Sequence, residues 1–188
     1  MTLKHSALFH LHQRAGASFL EHSGWELPAF FSSAEREAAE VRKSVGLADL
    51  SHVRKFDLRR EPAHDGWWLG ANHYWMIVEP PLDPPSDSID ISSVYASLCV
   101  AGPRSRDLLN KVTSFNLSDV ALPNLRAAQG LVAHTHAVVL REDIGSIPAF
   151  HLLVSREYGE SVWETIVDAG QEFHLCPFGW TALQALLG

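Results

Sequence analysis

The sequence predicts an α+β fold in which residues 1–188 form a single domain with two small antiparallel-sheet halves. Three observations predict it: a capped amphipathic helix near residues 32–45, a proline-rich break at 80–87, and a β-α-β-β-α-β order of apolar segments after that break. Prolines deny backbone donors to a sheet, so the break separates two groups of strands. We place the subdomains at about 1–85 and 88–188.

Composition narrows the class of partner. The 188 residues carry a formal charge of −7 and contain no basic run, which argues against nucleic acid or an anionic membrane as a partner. No apolar run is long enough to span a bilayer, and the N-terminal residues lack a secretory signal pattern. Cys99 and Cys176 lie in separate apolar runs, which predicts buried free thiols. We therefore expect a cytoplasmic protein.

The first half opens with a predicted short helix at 6–15 and then a longer capped helix. Ser32 and Glu35 have the S-x-x-E spacing of a capping box. Gly46 is predicted to end this helix. Its apolar stripe has the helical spacing of four, three and four, at Ala34, Ala38, Val41 and Val45.

The remainder of the first half is predicted to form strands. Residues 53–60 predict a strand with Val53, Phe56 and Leu58 turned inward, followed by a turn at 61–66. A second strand, Tyr-Trp-Met-Ile-Val, is predicted within residues 67–79.

The second half has the ferredoxin-like order βαββαβ, followed by a terminal helix. Its strands are predicted at 92–101, 131–140, 148–154 and 172–176, with a long connection over 113–130. A proline at the first helical position follows Gly102, as helices tolerate. Two more helices are predicted at 159–169 and 180–187.

Two motifs in the first half carry a family resemblance. GWELP and, after the capped helix, GLADLSH resemble the start of the glycine cleavage T-protein (aminomethyltransferase) family. The matching residues are Gly24, Trp25, Pro28, Arg42, Gly46, Asp49, Ser51 and His52, with Val53 where the family has methionine. The resemblance implies a T-protein-like folate-binding domain, tetrahydrofolate as cofactor and a role in one-carbon metabolism. The C-terminal barrel of that family has no counterpart in these residues.

The segments DGWWLGANHYWMIVEP, VAGPRSRDLL and PAFHLLVSREYGESVWETIVDAG are similar to the gamma subunit of heterotetrameric sarcosine oxidase. This second resemblance implies oxidase subunits as partners, where the first implies glycine-cleavage subunits.

The resemblance also indicates where a folate would bind. A carboxylate suits the paired donors of a pterin ring. The family motif R-T-G-Y-T-G-E-x-G-Y-E, placed without gaps, puts its arginine on Arg141 and its pterin-binding glutamate on Ile147. Unpaired pterin donors would cost about 1–3 kcal/mol per group, and a short gap would bring in a neighbouring carboxylate. The candidate folate-binding residues are Arg141, Glu142, Asp143, Trp25 and Asp49.

Catalytic residues are not evident. The family takes its catalytic aspartate from a D-D pair between the S-H and G-P motifs, and the stretch between His52 and Gly102 has no such pair. Asp87 and Asp90 lie in that stretch but follow the proline loop, where we interpret them as turn or solvated residues.

The eleven histidines do not predict a metal site. On a strand, His134 and His136 would face one side, with His151 as a third ligand, but no full ligand set is visible. We interpret Asp49, Ser51 and His52 as residues that hydrogen-bond a turn, since adjacency in sequence is not the geometry of a catalytic triad.

Two hypotheses stay open. In the first, the chain is a T-protein-like folate-binding protein that lacks the usual catalytic aspartate. In the second, it is a non-catalytic accessory subunit like the oxidase gamma subunit. Both predict no aminomethyltransferase turnover by the chain alone.

Overall fold

Three β-sheets and five α-helices organise the described residues, which are 2–59, 66–81 and 83–188 of the computed structural model. The helices are α1 (Phe9–Arg14), α2 (Ala34–Lys43), α3 (Ser105–Val112), α4 (Gly159–Gly170) and α5 (Trp180–Leu187). The strands of the first half are β1 (Ser18–His22), β2 (Trp25–Phe30), β3 (Gly46–Asp49), β4 (Arg54–Leu58), β5 (Trp67–Gly70) and β6 (His73–Val78). The remaining strands are β7 (Ser88–Asp90), β8 (Tyr95–Ala101), β9 (Arg126–Val132), β10 (Thr135–Arg141), β11 (Ala149–Ser155) and β12 (Cys176–Pro177).

The strand order confirms the α+β class with small antiparallel sheets. β1 and β2 form a hairpin, and a four-stranded sheet has the order β5-β6-β4-β7. The largest sheet has the order β12-β3-β8-β11-β10-β9, antiparallel throughout except that β12 runs parallel to β3. β3 comes from the first 85 residues yet lies between two strands of the second half. The subdomain boundary itself stays a prediction.

The six-stranded sheet is covered on both faces. On one face, residues such as Leu98, Val100 and Phe150 pack against α3 and α4 in the largest apolar cluster. On the other, Ala48 and Cys99 pack against α2 and α5. The four-stranded sheet covers the rest of this second face through a cluster of Trp75, Val138, Leu140 and Leu153. An apolar layer therefore joins the two sheets and forms the floor of the cleft described below.

The start of α2 differs from the predicted capping box. The N-cap is Ser33, whose hydroxyl accepts a hydrogen bond from the Arg36 backbone N–H at 3.3 Å. Glu37, which is fully buried, accepts from the backbone N–H groups of Phe31 and Ser32 at 2.6 Å each. The prediction that Ser32 and Glu35 cap the helix is therefore wrong. Glu37 is favoured because its second oxygen also accepts from the Gly179 N–H at 2.9 Å.

The end of α2 also differs. The helix ends at Lys43 with Ser44 as its C-cap, so Gly46 does not close it. Gly46 instead begins β3, where an added Cβ would lie 2.5 Å from the Val41 side chain. The glycine is needed for close packing of helix against strand.

The predicted strand at 131–140 is in fact a hairpin. Residues Ala133 and His134 form its turn with φ values of 48° and 64°, and β9 and β10 pair on either side. Two consecutive positive φ values are typical of a tight hairpin turn, but Ala-His is not one of the dipeptides that signal it in a sequence. β9 therefore occupies the end of the predicted 113–130 connection and adds a strand to the βαββαβ order.

Of the other predicted elements, one differs in the structure and one lies partly outside the described residues. The expected strand at 172–176 is largely a 3-10 turn (Gln171–Phe173), followed by the two-residue β12. The end of the predicted strand at 53–60 and most of the turn at 61–66 lie outside the described residues. The expected short N-terminal helix and the helices at 159–169 and 180–187 are confirmed as α1, α4 and α5. Among the described residues, none of the helices is long and apolar enough to cross a bilayer.

Candidate functional site

A cleft of about 270 Å³ lies between the four-stranded sheet, the ends of β10 and β11, and α5. We call it the inter-sheet cleft. Its lining is mainly apolar and includes Leu50, Val53, Trp67, Ile77, Leu140 and Ile144. Four polar residues also line it, namely Glu79, Glu142, Asp143 and His151. An apolar slot with a few polar groups is the usual form of a small-molecule site.

Glu142 is a carboxylate with free acceptor capacity in this cleft. Its side chain is 56% exposed, and none of the described residues donates a hydrogen bond to it; His151 Nε2 lies 3.9 Å from Oε2. Burial raises the pKa of Glu142 above its ordinary value. Burial lowers the pKa of His151 to about 4, so this imidazole is neutral at pH 7. The pair thus offers a carboxyl group beside one neutral ring.

Arg141 and Asp143 bind each other through two hydrogen bonds. Arg141 Nε and Nη2 donate to the two oxygens of Asp143 at 3.0 and 2.8 Å. Nη1 donates to Asp119 at 2.5 Å and to the Leu122 carbonyl at 2.9 Å. These bonds from Asp143 and Asp119 raise the pKa of Arg141 despite the opposing effect of burial. Arg141 is only 6% exposed and does not line the cleft, so it holds the loop around residues 119–124 to the end of β10.

Asp49 is also occupied by internal contacts. Its carboxylate accepts hydrogen bonds from the hydroxyls of Ser6 and Ser51 at 2.6 and 2.5 Å and from the Ser51 N–H at 3.0 Å. Burial would raise the pKa of Asp49, but the hydrogen bond and charge of His12, together with the two serines, lower it to about 2. Asp49 does not line the inter-sheet cleft. This agrees with the turn-holding role expected for Asp49 and Ser51.

Trp25 lies in a different cavity. A more open, polar space of about 770 Å³ is lined by Lys4, His5, Trp25, His52, Arg54 and Arg156, and we call it the N-terminal groove. Lys4 Nζ lies 5.8 Å from the Trp25 ring centroid. Arg54 donates to Asp90 at 2.9 Å in this groove. The predicted site residues are therefore not brought together: Glu142 and Asp143 line the inter-sheet cleft, Trp25 lines the groove, and Arg141 and Asp49 support the fold.

A group of polar side chains between the two cavities was not evident from the sequence. His52 lines the N-terminal groove and Glu79 lines the inter-sheet cleft, and His52 Nε2 lies 3.2 Å from Glu79 Oε2. His22 lies on the other side of the same carboxylate. These residues come from three separate segments, and no spacing in the sequence relates them. His134, His136 and His151 do not form such a group within the part of the chain that the structure describes.

The chain belongs to the family described as GCVT N-terminal domain. The sequence profile of that family matches residues 8–66 and 63–187, which together cover nearly all of the chain. This confirms the T-protein resemblance, for the folate-binding domain.

Curated relatives agree with the profile. The chain is 25% identical to an aminomethyltransferase of Acidobacterium capsulatum over 235 residues, which cover 98% of the chain and 62% of the relative. It is 26% identical to an aminomethyltransferase of Geobacillus kaustophilus over 232 residues, covering 98% of the chain and 63% of the relative. The chain thus spans somewhat under two thirds of the length of these relatives.

Two solved structures share the fold. The glycine cleavage system aminomethyltransferase T from Bartonella henselae superposes with a TM-score of 0.76 at 14% identity, covering 98% of this chain and 62% of that one. A chain of the heterotetrameric sarcosine oxidase from Corynebacterium sp. U-96 gives a TM-score of 0.65 at 16% identity, covering 90% of this chain and 96% of that one. Both resemblances seen in the sequence are confirmed at the level of fold.

Proposed function

We propose that this T-protein-like protein of one-carbon metabolism binds a reduced folate in the inter-sheet cleft and does not transfer aminomethyl groups by itself. The observation that carries the proposal is the Glu142 carboxylate, which lines a mainly apolar cleft and accepts no hydrogen bond from the described residues. An ionised carboxylate accepts two parallel hydrogen bonds from a flat donor pair such as that of a pterin.

The volume and lining of the cleft suit a ligand with one ring system. Its volume of about 270 Å³ lies near the lower end of the roughly 300–1,000 Å³ typical of ligand sites, which suits a pterin rather than a whole folate. Leu140 and Ile144 offer apolar surface to the ring, and Trp67 offers an aromatic face. Glu142 would then take the place of the family glutamate that Ile147 replaces.

We expect no turnover because the stretch between His52 and Gly102 lacks the D-D pair that supplies the catalytic aspartate of the family. The two matched segments of the family profile meet at residues 63–66, inside that stretch. The alignment to the Acidobacterium relative has 235 positions, more than the 188 residues of the chain, so the relative carries residues with no counterpart. Of the two aspartates considered from the sequence, Asp90 hydrogen-bonds Ser92 and Arg54 in the N-terminal groove, away from the cleft.

The test is a titration with 5-formyl-tetrahydrofolate, followed by calorimetry and by tryptophan fluorescence, because Trp67 lines the cleft. We expect binding at micromolar strength, and about a tenfold or greater loss for Glu142→Gln, which removes a charge-assisted acceptor. Glu164→Gln, an exposed glutamate on α4, is the matched control and should bind like the unaltered protein. No binding up to millimolar ligand, or equal binding by Glu142→Gln, would contradict the folate site.

Turnover is measured separately. The purified chain, tetrahydrofolate and an aminomethyl-loaded carrier should give no product, while the same assay with an aminomethyltransferase should. Product formed by this chain alone would contradict the non-catalytic part of the proposal and leave the binding part intact.

A second candidate is an accessory subunit similar to the sarcosine oxidase gamma subunit. It is supported by the fold shared with the Corynebacterium oxidase chain, 96% of which the superposition covers. Affinity purification from the native host distinguishes the two. Stoichiometric recovery of oxidase subunits without folate binding would favour the accessory role, whereas recovery of glycine-cleavage components would favour the first proposal.

A further inference from the structure

Three metal-ligating side chains converge between the two cavities. His22 ends β1, His52 lies in the turn after β3, and Glu79 follows β6. One ligand atom from each of the three residues lies within 4.8 Å of the other two. Among the described residues this is the one such group of three.

The two imidazoles point at the same carboxylate oxygen. His52 Nε2 lies 3.2 Å and His22 Nε2 3.6 Å from Glu79 Oε2. Neither nitrogen makes a hydrogen bond with the described residues, although His52 is only 1% exposed. A buried polar atom without a partner is costly, and in a native protein it calls for an explanation such as a bound ion.

We propose that His22, His52 and Glu79 bind a divalent transition-metal ion of the zinc class. Two imidazoles and one carboxylate are the protein ligands of a well-known type of open zinc site, in which water fills the fourth position. The metal would be bound in addition to the proposed folate, beside it, since Glu79 also lines the inter-sheet cleft.

The spacing of the atoms supports a tetrahedral site. With metal–ligand bonds of about 2.0–2.2 Å, neighbouring ligand atoms in a tetrahedron lie roughly 3.3 Å apart. The two nitrogen–oxygen distances of 3.2 and 3.6 Å are close to this value before any ion is bound. Small rotations of the partly exposed Glu79 and His22 side chains would complete the geometry.

The backbone segments that carry the ligands are tied together. Ser23 Oγ, next to His22, donates to the carbonyl of Pro80, next to Glu79, at 3.2 Å. Lys55 Nζ donates to the carbonyls of Ser51 and Val53 at 3.0 and 2.9 Å, on either side of His52.

The imidazole rings themselves are also held. The Trp180 ring packs against both, with centroid distances of 4.6 Å to His22 and 5.1 Å to His52. A ligand set held by such supports loses little entropy when an ion binds. The N-terminal groove, which His52 lines, gives an ion a path from solvent.

The test uses the full chain, stripped of metal with a chelator and titrated with Co²⁺ while its visible absorption is recorded. We expect one tightly bound equivalent with the intense bands of a tetrahedral site, displaced by Zn²⁺. His52→Ala and Glu79→Gln should each weaken binding by about tenfold or more. His136→Ala removes an exposed histidine on β10 and should bind Co²⁺ like the unaltered protein.

Two results would overturn the proposal. One is a stripped protein that binds no Co²⁺ tightly, and the other is unchanged affinity in Glu79→Gln, which would assign the binding to other histidines. Because His52 is buried, circular dichroism must show that His52→Ala is folded. If His52→Ala is unfolded, the Co²⁺ affinity of Glu79→Gln tests the proposal by itself. The Glu79 side chain is 48% exposed, so its replacement leaves the core intact.

Discussion

The Nε2 atom of His12 lies 3.1 Å from the Oδ2 atom of Asp49, and both side chains are almost completely buried, at 0% and 2% exposure. This contact joins α1 to the end of β3, two elements 37 positions apart. Asp49 thus acts as a structural acceptor for the N-terminal segment. Asp49 matches a family motif, and in the structure its carboxylate stabilises the fold by accepting hydrogen bonds.

The Asp49 contact predicts acid sensitivity. Its folded pKa of about 2 is below the ordinary value of 3.8, so the ionised form stabilises the folded state above about pH 4, and this contribution is lost as pH falls toward 2. The shift corresponds to about 2 kcal/mol. Asp49→Asn should lower the free energy of unfolding at pH 7 by at least about this amount and flatten the pH dependence between 4 and 2, as measured by urea unfolding.

The control is Asp168→Asn, which alters an exposed carboxylate on α4. It should leave the free energy of unfolding within about 0.5 kcal/mol of the original value. Equal acid sensitivity in the unaltered protein and in Asp49→Asn would show that Asp49 does not carry this effect.

Replacing Arg141 should lower the stability of the fold without lowering the affinity for folate. Arg141→Met leaves Asp143 without its main partner and releases the Leu122 carbonyl, so it should destabilise the fold by about 3 kcal/mol. Affinity of the folded protein for 5-formyl-tetrahydrofolate should stay unchanged, because the guanidinium does not line the cleft. Arg126→Met, an exposed arginine on β9, is the matched control for stability. A folded Arg141→Met that no longer binds folate would restore the role first expected of this residue.

The two cysteines should be poorly reactive in the folded protein. Cys99 is fully buried, and burial raises its pKa to about 12, while burial raises the pKa of Cys176 to about 11. Little thiolate is therefore present at pH 8. A colorimetric thiol assay should show slow reaction in buffer and two rapid thiols in denaturant. Cys176→Ser reports on Cys99 alone, and rapid labelling of that variant in buffer would contradict its burial.

Gly102 should tolerate no side chain. Its φ is 131°, and a Cβ there would lie 2.3 Å from the Ser44 carbonyl oxygen. Gly102→Ala should destabilise the protein by about 3 kcal/mol or more, since backbone must shift. Gly145→Ala is a matched control with φ of 60° and no heavy atom of the described residues within 4 Å, and it should cost only about 1 kcal/mol. Similar midpoints in thermal unfolding would contradict the close contact.

The sequence predicted elements with strong local signals. The periodicity of α4, with Val162, Trp163 and Ile166 inward, required no knowledge of the rest of the fold. The turn at Ala133 and His134 was missed because its positive φ values are imposed by the pairing of β9 with β10. The Glu37 contacts at the start of α2 were missed because they include a bond to Gly179, 142 positions away.

The site was harder to predict than the fold. A motif aligned by position cannot show which way a side chain faces. Arg141, Glu142 and Asp143 are consecutive, yet Arg141 points to Asp119 while Glu142 faces the cleft. His22, His52 and Glu79 became neighbours only through the meeting of a hairpin, a turn and a strand end.

The position of β3 bears on how the chain could be divided. Among the described residues β12 pairs only with β3, and β3 in turn pairs with β8, so a fragment starting after the proline loop would lack the strand that links β12 to the remainder. A fragment ending before the loop would carry β3 with both edges unpaired. The two predicted halves are therefore complementary pieces, and we expect them to reassemble when mixed rather than to fold as independent units.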